Sequence, residues 1–153
     1  MLKKLFAISV LSSTLAFVGC QSTPSSSANM TATNLTLLQS TTWVATKIGN
    51  SAIVYNNDAA NRASLKFDEA TQRVTGTDGC NRLMGSYKAG KDTLALDQLA
   101  STRMACLNND NLDQQFNAAL AKATHYQVFG RTLKLLDRQG NPVLEFESVI
   151  QPR

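Results

Sequence analysis

The sequence predicts a small, mainly β domain: an antiparallel sheet of about seven to eight short strands curled into a barrel, with one α-helix over an end or open edge. Three observations carry that expectation. Apolar residues alternate at period two in several short runs, turn residues separate those runs at hairpin spacing, and only one stretch has helical spacing. At 153 residues, 43% hydrophobic and 17% charged, the chain is long enough for one such domain but not comfortably for two. Eight glycines and three prolines exclude a collagen-like or Pro/Gly-rich disordered chain. No apolar run reaches the roughly 18 residues that a membrane-spanning helix needs.

Trp43, Val44 and Ala45 open the first strand, and Ser64 to Phe67 alternates cleanly. Arg73, Val74 and Thr75 lead through Asp78 and Gly79 into Asn81 to Tyr87 as a hairpin, and Leu94 to Asp97 alternates again. Tyr126 to Val128, Leu133 to Leu135 and Leu144 to Glu147 form a three-strand meander with Gly130 and Gly140 in its turns. Leu112, Phe116, Ala119, Leu120 and Ala123 fall at i, i+4, i+7, i+8 and i+11, which predicts a helix of about three turns; Asn108, Asn109 and Asp110 are its N-cap candidates. A sheet this small exposes unpaired edges unless it curls or is covered, hence the barrel with the helix against it.

The first residues read as an address. Lys3 and Lys4 precede an apolar stretch from Leu5 to Val18, relieved by Ser9, Ser12, Ser13 and Thr14, and then come Gly19 and Cys20. That is a secretory signal. Phe17-Val18-Gly19-Cys20 resembles a bacterial lipobox, with Phe17 where leucine is usual, which implies cleavage before Cys20 and a diacylglycerol on its thiol. The expected organisation is therefore a signal peptide over 1–19, a lipidated Cys20 with a flexible Ser/Thr-rich tether over 20–33, and a domain over 34–153. Gln21 resembles lipoproteins exported onward to the outer membrane, placing the protein in the cell envelope, facing the periplasm, with the membrane as its partner through the lipid on Cys20. Without Lys3 and Lys4 the mature chain keeps 13 basic against 11 acidic residues, scattered with no stripe, which gives nucleic-acid binding no support.

Setting Cys20 aside leaves Cys80 and Cys106 as a pair in an exported protein. A disulfide is expected, with two neighbouring free thiols the alternative. Other chemistry finds little footing. A zinc site would have to draw on Cys80, Cys106, Asp78 and the lone His125, and no two have ligand-pair spacing; His125 reads as a helix-end cation or a partly buried ring. One histidine and no Gly-x-Ser-x-Gly argue against a hydrolase, and there is no phosphate-cradling loop. Asp68/Glu69 and Glu145/Glu147 read as solvated strand and turn faces, not an acid pair. No catalytic residue, cofactor or metal is expected.

The stretch Thr75-Gly76-Thr77-Asp78-Gly79-Cys80-Asn81-Arg82-Leu83-Met84-Gly85-Ser86-Tyr87, followed by Ser101-Thr102-Arg103-Met104-Ala105-Cys106, resembles the META domain family. The likeness runs from about Leu38 to Ile150, and the two cysteine motifs in that order are its specific part. It implies a small β-rich, barrel-like fold. It also implies the company of HslJ-like lipoproteins, which are associated with heat and antibiotic stress, and no established reaction. Cys80, Asn81, Arg82, Thr102, Arg103, Met104 and Cys106 match the family motifs, as either a structural clasp or a binding surface; Gly79 and Gly85, bracketing the first motif as turn glycines, favour the clasp. The leading functional expectation is a non-enzymatic envelope module for interaction or stress response, with an envelope protein as partner. The alternative is a barrel carrying a small ligand, for which Leu65, Phe67, Leu94, Leu96, Val128, Leu133, Leu135, Leu144 and Phe146 either fill the interior or line a pocket.

Overall fold

Period-two alternation survives in three dimensions as one sheet with an apolar inner face. The computed structural model describes residues 34–55, 62–106 and 110–149; the leader, Cys20 and the tether lie outside the described residues. The strands are β1 (Thr42–Ile48), β2 (Ser51–Ala52), β3 (Ser64–Asp68), β4 (Arg73–Thr77), β5 (Arg82–Ala89), β6 (Leu94–Ser101), β7 (His125–Phe129), β8 (Thr132–Leu136) and β9 (Pro142–Ser148). All pairings are antiparallel, in the order β6-β5-β4-β3-β1-β9-β8-β7, with β2 hanging on β1. The sheet curls until its two end strands touch at a single bridge, Thr93 to His125. There Leu94 N donates to Thr124 O (2.9 Å) and Tyr126 N to Asp92 O (2.8 Å).

Inside the curl, Trp43, Phe67, Tyr87, Tyr126, Phe116 and Phe146 are fully buried. Phe67 meets Tyr87, and Phe116 meets Phe146, in edge-on ring contacts with centroids 5.1 and 6.1 Å apart. Of the apolar strand residues expected to fill or line the barrel, all are buried except Leu96, which is half-buried. Tyr126 and Tyr87 satisfy their buried hydroxyls by donating to Gly90 O (3.0 Å) and Asp68 O (3.2 Å). Burial raises both phenols above their ordinary pKa.

A helix lies against each end of the curl. The first, α1, occupies residues 34–39. It was not anticipated, because its apolar residues are too few to show a period. It seats Leu38 in the core, and Leu38 O accepts a hydrogen bond from Trp43 Nε1 (2.9 Å). The second, α2 (Leu112–Leu120), buries Phe116, Ala119 and Leu120. It is shorter than the expected three turns, and its cap is Asn111 at φ +59°, with no side-chain capping bond. Asp110 stands beside it at φ +51°, and Asn108 and Asn109 lie outside the described residues. His125 is no helix-end cation: it opens β7 with a half-buried ring, its Nδ1 3.0 Å from Thr124 Oγ1. On the outer face Glu145 sits between Lys47 (3.2 Å) and Lys134 (3.8 Å), a solvated ion-pair ladder worth little to stability.

Candidate functional site

Where β4 turns into β5 the chain must reverse within four residues, and Asp78 organises the reversal. Its Oδ1 accepts from Cys80 N (3.0 Å) and Asn81 N (2.6 Å), its own N donates to Asn81 O (3.0 Å), and Gly79 N donates to Thr77 Oγ1 (3.1 Å). This is an Asx turn, in which the carboxylate imitates a backbone carbonyl. Gly79 supplies the left-handed residue the turn needs, at φ +97°. The second carboxylate oxygen accepts from Asn117 Nδ2 of α2 (2.7 Å), so the turn is fastened to the helix. Asp78 is fully buried, and three hydrogen-bond donors replace its lost hydration.

Asn81, also buried, carries the fastening to the second cysteine motif. Its Oδ1 accepts from Met104 N (2.7 Å) and Thr102 Oγ1 (3.4 Å), and its Nδ2 points at Cys106 Sγ (3.4 Å). Thr102 continues the pairing past the end of β6: its N donates to Arg82 O (3.1 Å), and its Oγ1 accepts from Arg82 N (3.0 Å). Cys80 and Cys106 are disulfide-bonded with Cα atoms 5.9 Å apart. Closing that loop takes conformational freedom from the unfolded chain.

The motif residues therefore divide. Cys80, Asn81, Thr102, Cys106 and the backbone of Met104 converge in one clasp, whereas the side chains of Arg82, Arg103 and Met104 stand on its rim in solvent, Met104 at 63% exposure. Cys20 lies outside the described residues. Gly85 is not a turn glycine. It sits inside β5 opposite a bulge in β6, where the register shifts and Gln98 takes φ +52°; a Cβ there would lie 2.9 Å from Asp97 O and Leu99 Cδ2. Sequence reasoning missed Asp78 as the hub and Asn117 as its partner. The run Thr-Asp-Gly-Cys-Asn signals an Asx turn and offered a way to find Asp78, while nothing near Asn117 marks it. Of the residues weighed for zinc, Cys80 and Cys106 are bonded to each other and Asp78 is occupied by three donors.

Two shallow grooves open on the outside. One, of about 260 Å³, is lined by polar groups that include His125, Asp137, Arg138 and Gln139; the other, of about 230 Å³, is lined by Ile48, Ile53, Val54 and Leu112. Asp137 is committed to its own turn, where bonds from Asn141 and Gln139 hold its carboxyl below the usual carboxylate range.

Fold and clasp together define a class: a small, curled antiparallel β domain stapled at one end by a disulfide. The chain belongs to the META domain family, whose model matches residues 35–150. Solved structures share the fold. A protein from Burkholderia xenovorans determined by NMR is 26% identical, covering 92% of this chain and 100% of its own, with a TM-score of 0.56. A DUF4847 family protein from Bacteroides vulgatus is 19% identical, covering 76% and 97%, also with a TM-score of 0.56. Another NMR structure, 22% identical over 73% of this chain and 92% of that one, superposes with a TM-score of 0.59. No curated protein matches the chain.

Proposed function

We propose that this META domain protein is a non-enzymatic interaction module of the bacterial envelope, held to the outer membrane by lipid on Cys20, facing the periplasm, and serving tolerance to heat or antibiotic stress. One observation carries the reading. The clasp uses its disulfide, Asp78 and Asn81 to fix backbone, and in doing so presents Arg82, Arg103 and Met104 on a rigid rim. Arginine and methionine are enriched in protein interfaces, and pre-ordering a loop removes part of the entropy cost of binding. The partner that fits is another envelope protein. A carrier would have to use the outer grooves, because core side chains fill the inside of the curl among the described residues.

The test uses the full chain in the bacterial envelope. Cys20→Ser should move the protein from the membrane fraction to the soluble periplasmic extract; continued membrane association refutes the anchor. Arg82→Glu combined with Arg103→Glu, on the lipidated chain, should leave the melting temperature within about 2 °C, since both side chains are exposed. The same double variant should fail to restore stress tolerance to a strain lacking the gene; full restoration would remove the rim from the function.

A further inference from the structure

The end of the molecule opposite the clasp carries two exposed apolar side chains. Phe129, at the turn from β7 to β8, is 89% exposed, and Val149, just past β9, is 60% exposed. Hydrogen bonds tie the β7–β8 turn and the end of β9 to the place where the folded domain begins. Ser148 N donates to Arg131 O (2.9 Å), Arg131 Nη2 to Ser148 O (3.3 Å), and Val149 N to Thr42 O (3.1 Å). Phe129, Arg131, Val149 and the junction of α1 with β1 therefore lie at the same end of the sheet. An aromatic side chain almost wholly in water is costly to leave there, and a hairpin tip that only had to turn needs Gly130, not a phenylalanine before it.

We infer that this end docks on the lipid bilayer surface to which the chain is anchored, so that the clasp points away from the membrane. The inference rests on the reading of Cys20 as lipidated. Residues 20–33 separate Cys20 from α1, and a Ser/Thr-rich linker of that length has an end-to-end distance of about 20 Å. The first part of the domain to meet the bilayer is then the face that holds Phe129 and Val149. Tethering at that range gives an effective concentration in the millimolar range, so a surface contact too weak to hold a free protein is substantially occupied here. The charges around the patch are mixed, with Arg131 and Lys66 against Glu147, so apolar insertion and tether length choose the lipid surface, with little help from charge. Met104, 63% exposed on the rim of the clasp at the opposite end of the sheet, serves as the control position.

The experiment places a tryptophan at one end or the other of the full lipidated chain, Phe129→Trp or Met104→Trp, in vesicles of phosphatidylethanolamine and phosphatidylglycerol doped with brominated phosphatidylcholine. Trp43 is buried and contributes the same background to both. Flotation with the vesicles reports the anchor, and bromine quenching reports which end meets lipid. The expected result is flotation of both variants, with quenching at position 129 at least threefold greater than at 104. Flotation with equal or reversed quenching overturns the docked face while leaving the anchor intact. Failure to float overturns the Cys20 reading, and the orientation argued from it falls as well.

Discussion

The two ends of the curled sheet are closed by different physics. At the clasp end a buried carboxylate, a buried amide and a disulfide hold the β4–β5 turn, the segment after β6 and α2 together. At the opposite end, α1 closes the curl mainly with apolar volume, seating Leu38 beneath Trp43, helped by single bonds to Leu38 O and from Gln39 Nε2 to the Tyr87 hydroxyl. A polar clasp fails all at once, because removing one member leaves its partners buried and unsatisfied. An apolar lid fails in proportion to the volume removed. The clasp therefore specifies one backbone geometry, and the lid mainly excludes water.

Breaking the disulfide should have the largest effect. For cysteines 26 residues apart the chain-entropy relation gives about 3–4 kcal/mol, so Cys80→Ser and Cys106→Ser should each lower stability by that much and by the same amount in urea unfolding. Clearly unequal losses would show that one sulfur matters beyond the bridge. Next, Asp78→Ala should cost about 2–4 kcal/mol by stranding Asn117 Nδ2 and two backbone N–H groups, and Leu38→Ala a similar amount by leaving a cavity. The comparison sharpens under reductant. Asn81→Ala should cost less once the disulfide is open, whereas the Leu38→Ala cost should not change; a reductant-dependent Leu38→Ala would mean that the two ends are coupled.

Changes of pH should act more gently. Burial pushes the Tyr55 hydroxyl, which donates to Ala45 O, up to about 12, and raises Tyr87 and Tyr126 as well. With folded values above the unfolded value near 10, the folded state favours the neutral phenol. Stability is intact below pH 10 and falls as pH rises toward 12, where the unfolded chain ionises first. Tyr87→Phe should flatten that fall in denaturation curves taken between pH 9 and 12. On the acid side, hydrogen bonds from Thr71 to Asp68 and from Asn141 to Asp137 lower both carboxyls, so their contribution is present above about pH 4 and lost below it. Asp137→Asn should shrink the difference between unfolding midpoints at pH 7 and pH 2.5. The smallest expected effect is none: deleting residues 21–33 should leave the melting temperature unchanged.

Where backbone periodicity and burial coincide, the sequence was legible. Leu65, Phe67 and Leu94 alternate into the core as expected, the meander from His125 to Ser148 forms with glycines at positive φ in both turns, and the apolar stripe from Phe116 to Leu120 faces inward. The pairing of Cys80 with Cys106 was an expectation that the structure contains. Non-local features were not legible. The two-residue β2 and the brief α1 are too short for any period, and Asn117 binds a carboxylate 39 residues away, a distance no local pattern encodes. Gly85 was misread because a glycine facing a bulge and a glycine in a turn look identical along the chain; only the φ of Gln98 and the nearness of Leu99 separate them.

One pairing bears on how the molecule comes into being. β1 lies between β3 and β9, so the first long strand made has the last one as a neighbour. The β3–β6 meander can form from local contacts as it emerges, but the seam between Trp43 and Ser148 has to wait for the whole chain. The timing of folding is then set by arrival of the C-terminal strand. Until that moment β1 offers an open edge, and any chaperone of its biogenesis would find its substrate there.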